Sequence, residues 1–296
     1  MRIAVTGASG LVGSHLVPQL RSHGHDVVTL VRRAPVRPDE IRWDPSSGDL
    51  DPADLEGVEA AVHLAGAGIG DKRWSGEYKQ LVLSSRVEST TLLANTLTQL
   101  DPRPQVLLSG SAIGFYGDAG DRECDESTPA GTGFLADVCQ AWEGATTAAE
   151  EAGIRTVHLR TGLVLSGTGG MLAQQLRLYK LGLGGPLGNG RQWWSWVSLA
   201  DELGAIEHLL TADVAGPVNI TGPAPVRQRD FATALGRALH RPAVLPAPGF
   251  ALKAVIGEFA EEGILAGQQV LPRVLESDGY AFSHRTLDEA LATALG

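Results

Sequence analysis

The sequence predicts an α/β fold with a doubly wound parallel sheet and a smaller, mostly helical C-terminal lobe. Three observations predict it. The chain opens on an apolar strand, residues 1–6, that leads through a glycine-rich turn into a helical pattern. Apolar strand-like segments then alternate with helical stretches as far as residue 166, which is typical of parallel sheets. From residue 227 onward the pattern is mostly helical and broken by prolines.

The turn after the first strand has the spacing of a phosphate-binding loop, with Gly7, Gly10 and Gly13 ahead of a helix. Gly7 allows the tight turn, Gly10 lets the backbone approach a pyrophosphate, and Gly13 lets the helix pack closely on the strand. The free N–H groups and the positive dipole end of the helix then face the phosphates. Because strand, turn and helix occur in this order, we expect a Rossmann-type dinucleotide site.

The remaining elements follow in order along the chain. Strands are predicted at 27–31, 60–65, 106–110, 155–160 and 217–220, and helices at about 77–100 and 134–152. The segment from residue 167 to about 190 carries many glycines and is predicted to be loop-rich. We therefore expect a cofactor domain of residues 1–166, with 195–222 returning to it, and a substrate lobe of 167–194 and 223–296.

Two arginines end the second strand, where NAD-binding folds usually place an acidic residue on the ribose 2′-hydroxyl. They are Arg32 and Arg33. Guanidinium groups pair bidentately with phosphate. NADP is therefore the predicted cofactor, with Arg32 on its 2′-phosphate and Arg33 as a second candidate there. The alternative is that both arginines are solvated ends of an exposed strand.

Composition and charge exclude several classes of partner. The 296 residues carry a formal net charge of −10 without a long basic run, which disfavours nucleic acid and anionic membranes. No apolar run approaches the about 20 residues of a membrane helix. The two cysteines have no metal-type spacing and indicate a reducing compartment. We expect a cytoplasmic protein, monomeric or homodimeric, that binds a small molecule and no metal.

Four segments, TGASGLVG, VHLAGAGI, LLSGSAIGFYG and LRTGLVL, resemble the extended short-chain dehydrogenase/reductase superfamily. Within it, DKRW, LGLGGP and GNGRQ resemble a nucleoside-diphosphate-sugar epimerase-like subgroup with its own C-terminal extension. The resemblance covers nearly the whole chain. It implies an NADP-binding oxidoreductase or epimerase that acts on a small polar substrate, with a nucleotide sugar as one candidate.

The resemblance also implies which residues line the cofactor. These are Gly7, Ser9, Gly10, Leu11 and Val12 at the pyrophosphate, Arg32 and Arg33 at the adenosine end, Leu64, Ala65 and Gly66 beside the adenosine ribose, Arg86 on the long helix, Ser109, and Arg160, Thr161 and Gly162 near the nicotinamide. A salt bridge on the helix surface is the alternative for Arg86.

The usual catalytic set of these enzymes is incomplete in this chain. Members of the superfamily use a serine and a tyrosine–lysine pair four residues apart, and the phenol exchanges a proton with the substrate oxygen. Ser111 occupies the serine position. None of the four tyrosines is followed four residues later by lysine; the residues there are Val82, Gly120, Leu183 and His284. The resemblance implies that Phe134 or Leu135 stands at the tyrosine position, and that Val138 or Cys139 stands at the lysine position.

Either another group moves the proton, or the chain carries out no redox chemistry of the usual kind, and the sequence offers few groups that could replace the pair. Tyr116 and Lys72 are the candidates besides Ser111, with a packed tyrosine and a surface lysine as the alternatives. Cys139 is a further candidate, with plain packing as its alternative. We expect Asp137 and Glu143 on the solvated or interface side of their helix.

Three residues are predicted to contact substrate: Arg73, Arg191 and Trp193. The missing tyrosine–lysine pair also supports a second hypothesis. Because some members of the subgroup carry a cell-division-inhibitor label, the chain could instead be a cofactor-binding regulator or scaffold with little turnover.

Overall fold

The computed structural model describes all residues, 1–296. Its strands are β1 (Arg2–Thr6), β2 (Asp26–Val31), β3 (Glu40–Arg42), β4 (Ala60–His63), β5 (Val106–Ala112), β6 (Glu123–Cys124), β7 (Arg155–Thr161), β8 (Leu163–Leu165), β9 (Trp193–Trp194), β10 (Trp196–Ser198), β11 (Gly216–Ile220), β12 (Val226–Arg227) and β13 (Gln269–Val270). Its α-helices are α1 (Leu11–Ser22), α2 (Gly76–Leu97), α3 (Phe134–Gly144), α4 (Thr147–Glu151), α5 (Gly170–Lys180), α6 (Leu199–Thr211), α7 (Gln228–Ala238), α8 (Gly249–Ile256), α9 (Arg273–Ser277) and α10 (Leu287–Leu295).

Seven strands form one parallel sheet in the order β11–β7–β5–β4–β1–β2–β3. The strand order reverses between β1 and β4, which is the switch point of a doubly wound sheet. The predicted fold class is therefore confirmed. Since all seven strands run the same way, the loops after β1, β4, β5 and β7 meet along one edge of the sheet, and ligands of such sheets bind there.

Two hydrophobic cores lie on opposite faces of this sheet. Successive residues of a strand point to opposite faces, so Val5 belongs to one core and Ala4 to the other. Helices α1 and α6 cover the first face, where α1 buries Leu16. Helix α2 covers the second face, where it buries Leu93. Burial on both faces explains why the strands read as continuous apolar runs in the sequence.

A third core lies in the C-terminal lobe. It gathers buried side chains from residues 165–196 and 231–291, among them Trp194, Phe231 and Leu291. Both segments assigned to the lobe from the sequence thus contribute to one core. The domain boundaries themselves stay a prediction. None of the helices combines the length and the apolar character needed to cross a bilayer.

Two local expectations were wrong. The segment predicted to be loop-rich contains helix α5, because Leu172, Leu176 and Tyr179 recur at helical spacing and pack into the lobe core, while glycines flank the helix on both sides. The predicted helix at 134–152 is two helices, α3 and α4, separated at Ala145 and Thr146. The short edge strand β3 had no counterpart in the sequence prediction.

Candidate functional site

The turn between β1 and α1 is held in a tight backbone cradle. Gly7 has a φ of +67°, and a Cβ there would lie 2.6 Å from the Leu64 carbonyl carbon. At Gly13 a Cβ would lie 2.3 Å from the Gly7 carbonyl oxygen. The Thr6 hydroxyl oxygen accepts hydrogen bonds from the N–H groups of Leu64 and Ala65, at 3.1 and 3.2 Å. Glycine is therefore required at both positions, and the loops after β1 and β4 are fixed to each other.

The N-terminus of α1 is open to an anion. Its N-cap is Gly10, no side chain caps it, and its first turn contains no acidic residue. Ser9 and Gly10 are exposed, while Leu11 and Val12 are partly buried. The first N–H groups of a helix have no intrahelical partners, and the helix dipole favours negative charge at that end. These features fit a phosphate or pyrophosphate group.

We expect Gly13→Ala to lower the free energy of unfolding by about 1–3 kcal/mol, because the new Cβ meets a backbone oxygen and forces the helix away from the turn. Urea denaturation at neutral pH measures this loss. Gly76→Ala, where a Cβ would meet no atom within 4 Å, is the matched control and should leave stability nearly unchanged. Equal stability of the two variants would contradict the prediction.

The two arginines after β2 differ in their contacts. Arg33 donates from Nη1 and Nη2 to the two carboxylate oxygens of Glu40, each at 2.7 Å. This pairing lowers the pKa of Glu40 to about 2. The Arg32 side chain is exposed and has no hydrogen-bond or salt-bridge partner. Arg32 is therefore the guanidinium that is available to a ligand, whereas Arg33 is already paired.

A cavity of about 200 Å³ lies beyond the ends of β5 and β7, between the sheet edge, α3 and the lobe. Thr161 and Gly162 line it at the end of β7, and Ile113 lines it after β5. Most of its walls are apolar or aromatic, contributed by Ile69, Leu135, Val138, Trp142, Leu163, Met171, Trp193, Trp194, Phe259 and Ala266. The structure thus brings the predicted residues Thr161, Gly162 and Trp193 together around one cleft.

Helix α3 presents one side to this cleft. Leu135, Val138, Cys139 and Trp142 are spaced at helical intervals and all line the cavity. The Cys139 thiol donates to the Ala112 carbonyl oxygen at 3.5 Å. Burial raises the pKa of this thiol to about 11, so it is neutral at physiological pH and is a poor nucleophile.

Ser111 lies behind the cleft in a buried polar network. Its hydroxyl donates to Glu143 Oε1 at 2.7 Å. Arg160 donates to the same carboxylate from Nε and Nη2, both at 2.8 Å, and its guanidinium stacks on the Phe115 ring. The expectation that Glu143 faces solvent or an interface was wrong: its side chain is 11% exposed, because it is the counter-ion of the buried Arg160 guanidinium.

The Tyr116 hydroxyl belongs to the same network. It donates to Asn219 Oδ1 at 2.7 Å and accepts from Arg160 Nη1 at 3.1 Å. Burial raises the pKa of Tyr116 to about 12. Because the residue is fully buried and does not line the cleft, its position fits a packed, hydrogen-bonded tyrosine. Ser109 is also fully buried, and its hydroxyl has no partner in the protein.

The other predicted polar residues lie at the periphery. Lys72 and Arg191 are exposed and line no part of the cavity. Arg73 donates to the Ala254 carbonyl oxygen at 2.9 Å and so joins the loop after β4 to helix α8 of the lobe. Arg227 lies over the Trp193 ring, with its guanidinium carbon 4.1 Å from the ring centroid. The roles proposed for Lys72, Arg73 and Arg191 remain predictions.

Sequence reasoning missed two acidic residues of the site. Glu262, from the lobe, accepts from the N–H groups of Phe134 and Leu135 at 3.1 and 2.8 Å, and it caps a helix that has no cap of its own. Glu202 on α6 is fully buried and accepts from the Thr161 hydroxyl at 3.0 Å. Burial raises the pKa of Glu202 to about 8. A signal for Glu202 existed, since it shares the inward helical face of Ile206 and Leu209.

Comparison with known proteins agrees with this geometry. Residues 3–221 match the NAD dependent epimerase/dehydratase family. The chain belongs to this family. Residues 247–294 match a domain of unknown function, DUF1731, which contains α8, α9 and nearly all of α10. The predicted superfamily and its C-terminal extension are therefore confirmed.

Relatives in the family match nearly the full length of the chain. Epimerase family protein Mb2239 of Mycobacterium bovis is 46% identical over 293 residues, 99% of this chain and 97% of the relative. Human epimerase family protein SDR39U1 is 35% identical over 295 residues, 98% of each. The crystal structure of human SDR39U1 (isoform 2) with NADPH has a TM-score of 0.93 at 33% identity, covering 99% of both chains.

Proposed function

We propose that this protein binds NADP(H) and is an oxidoreductase or epimerase for a small molecule held in the cleft beyond β5 and β7. The observation that carries the proposal is Arg32, an exposed guanidinium without a partner, at the end of the strand next to an open phosphate-binding turn. The related human protein crystallised with NADPH supports the choice of cofactor.

The chain's residues fit this cofactor along the sheet edge. The turn residues Gly7, Ser9, Gly10, Leu11 and Val12 would hold the pyrophosphate, Arg32 the 2′-phosphate, Leu64, Ala65 and Gly66 the adenosine ribose, and Thr161 and Gly162 the nicotinamide end. Bound NADP(H) supplies hydride exchange at the nicotinamide. The protein must then orient the substrate, exclude water and handle a proton.

The proton chemistry differs from that of the superfamily pattern. We interpret Leu135 and Cys139 as occupying the tyrosine and lysine places, since they are four residues apart and both line the cleft. Ser111 donates its only proton to Glu143, so its oxygen is left as an acceptor. This oxygen lies behind the cleft, next to the lining residue Ala112, so it suits a substrate hydroxyl group only if that group reaches past Ala112, while Arg160 keeps Glu143 in place.

One observation favours the second hypothesis, a cofactor-binding regulator or scaffold. No tyrosine, histidine or lysine lines the cleft, so it lacks the usual proton donors. A measurement of turnover distinguishes the enzyme from the regulator. Steady NADPH oxidation with carbonyl compounds, lost in Ser111→Ala, would support the enzyme, whereas tight NADPH binding without turnover would support the regulator.

Arg32→Glu tests the cofactor assignment. We expect the affinity for NADPH to fall about 10- to 100-fold, because a charge-assisted contact with phosphate is lost and a carboxylate replaces it. The affinity for NADH should stay equal or rise, since an acidic residue there suits the 2′-hydroxyl. Isothermal titration with both cofactors measures these changes.

Arg177→Glu, an equal charge change on exposed residue 177 of α5, is the control and should not alter either affinity. A wild-type protein that binds neither cofactor, or that binds NADPH and NADH equally, would contradict the assignment.

A further inference from the structure

Most of the exposed large apolar side chains of this protein lie together on the C-terminal lobe. Six of the nine form what we call the apolar patch: Leu178, Leu181, Leu183, Val244, Leu245 and Phe250. The two segments that carry them run side by side. The Leu245 N–H group donates to the Gly184 carbonyl oxygen at 3.1 Å, and the Ala247 N–H group donates to the Pro186 carbonyl oxygen at 2.9 Å. Single exposed apolar residues are normal, whereas a cluster of them marks an interaction surface.

The side chains of the patch protrude from the surface. Leu181, Val244 and Phe250 are 73%, 73% and 79% exposed, and none of the six patch residues lines the cleft. Leu181 and Leu183 alternate with glycines, which have no side chains that could cover them. A protein partner would need a matching pocket for each protruding side chain. A lipid layer needs none, because large apolar side chains enter the boundary between its headgroups and acyl chains.

The charges around the patch are opposite in sign to the charge of the whole chain. The net charge of −10 disfavours anionic surfaces for the chain as a whole, but residues 152–200 and 231–257, which contain the patch, have no aspartate or glutamate. Arg177, Lys180 and Arg241 lie in these segments, and none of them takes part in a salt bridge. The Arg241 Nε donates to the Lys180 carbonyl oxygen at 3.2 Å, so these cations lie close to one another. This part of the lobe therefore attracts negative charge.

We propose that the apolar patch docks on the surface of a membrane that contains anionic lipids. The three unpaired cations attract the anionic headgroups, and the protruding side chains enter between them. Lys253, which follows Phe250 on α8, is paired with Glu261 at 2.7 Å and adds no free charge. The patch lies on the membrane in this arrangement, and no helix of the chain crosses it.

A second copy of the chain is the alternative occupant of the patch, and the charges disfavour it. In a two-fold symmetric dimer the same patch meets itself. Arg177, Lys180 and Arg241 of one copy would then lie near the same residues of the other copy. Since the two segments provide no carboxylate to separate these cations, the like charges would repel.

Sedimentation with lipid vesicles tests the proposal. We expect the wild-type protein to bind vesicles of equal parts phosphatidylcholine and phosphatidylglycerol more tightly than vesicles of phosphatidylcholine alone, by about 10-fold or more. Added salt should weaken this preference. Leu181→Ser should lower the affinity for the mixed vesicles about 10-fold, because one leucine no longer enters the lipid. The double variant Lys180→Gln with Arg241→Gln should lower the preference for the mixed vesicles about 5-fold or more.

Val36→Ser is the matched control for Val244→Ser. The two valines are 75% and 73% exposed, and only Val244 belongs to the patch. We expect Val244→Ser to lower the affinity for the mixed vesicles about 5-fold and Val36→Ser to leave it unchanged. Thermal unfolding of each variant shows that it is folded. No nucleotide is present, so the result does not depend on the cofactor assignment.

Three results would overturn the proposal. The first is a wild-type protein that does not bind the mixed vesicles, and the second is an equal loss of binding in Val36→Ser and Val244→Ser. The third is a dimer, detected by sedimentation velocity without lipid, that dissociates in Leu181→Ser, because the patch would then be an interface between two copies of the chain.

Discussion

Glu143→Ala is expected to lower the free energy of unfolding by about 3–5 kcal/mol, the usual cost of leaving a buried charge without its partner. The Arg160 side chain is 5% exposed and makes both of its carboxylate hydrogen bonds to Glu143. The Ser111 hydroxyl would lose its acceptor as well. Urea denaturation at pH 7 measures the loss.

Two further variants show whether the cause is the uncompensated charge. The double variant Glu143→Leu with Arg160→Met removes both charges, so we expect it to recover most of the lost stability. Glu150→Ala on the neighbouring helix α4, where the side chain is 46% exposed, should cost less than about 1 kcal/mol. A loss below about 1 kcal/mol in Glu143→Ala itself would show that water reaches the Arg160 guanidinium and would contradict the prediction.

The features that sequence reasoning predicted have local causes. Gly7, Gly10 and Gly13 act within one turn, and their conformational requirements depend on backbone atoms close to them in the chain or just after β4. The strands were also predictable from the sequence, because a parallel sheet that is buried on both faces needs continuous apolar segments. Position in the chain also identified Arg32 and Arg33 as candidates for the 2′-phosphate, and the structure shows that Arg33 is paired with Glu40.

The chemistry of the cleft depends on contacts between distant residues, and a single sequence does not record these. Ser111 and Glu143 are 32 residues apart. Glu262 accepts a hydrogen bond from the Phe134 N–H group, which is 128 residues away in the chain. Glu143 was misplaced because an acidic residue on an amphipathic helix is usually solvated. Glu143 is buried because the Arg160 side chain extends from β7 toward helix α3, and its guanidinium needs a counter-ion there.

Glu202 is expected to make the stability of this protein fall as pH rises. Its pKa is raised to about 8 in the folded state because the carboxyl group is fully buried, with one oxygen bonded to Thr161 and the other without a partner. In the unfolded chain the pKa of this carboxyl group returns to its ordinary value of 4.5. Between these two values the folded state therefore holds a proton that the unfolded state has lost.

The sign of the effect follows from this difference in bound protons. The stabilising contribution of Glu202 is complete below pH 4.5 and is lost progressively up to about pH 8, at most about 1.4 kcal/mol for each pH unit. Over the whole window, the loss is about 3–5 kcal/mol, on the order of the largest single-residue effects in proteins. Above about pH 8 both states are ionised at this residue, and no further change comes from it.

Glu202→Gln keeps the shape of the side chain and removes its titration. We expect the difference in unfolding free energy between wild type and variant to shift in favour of the variant as pH rises from 5 to 8, as measured by urea denaturation at several pH values. Other titrating groups, such as the buried His63 and His158, contribute equally to both proteins and cancel in this difference. Glu151→Gln, on an exposed residue, should run parallel to the wild type. If Glu202→Gln also runs parallel, the carboxyl group is ionised in the folded protein at neutral pH, and the prediction is wrong.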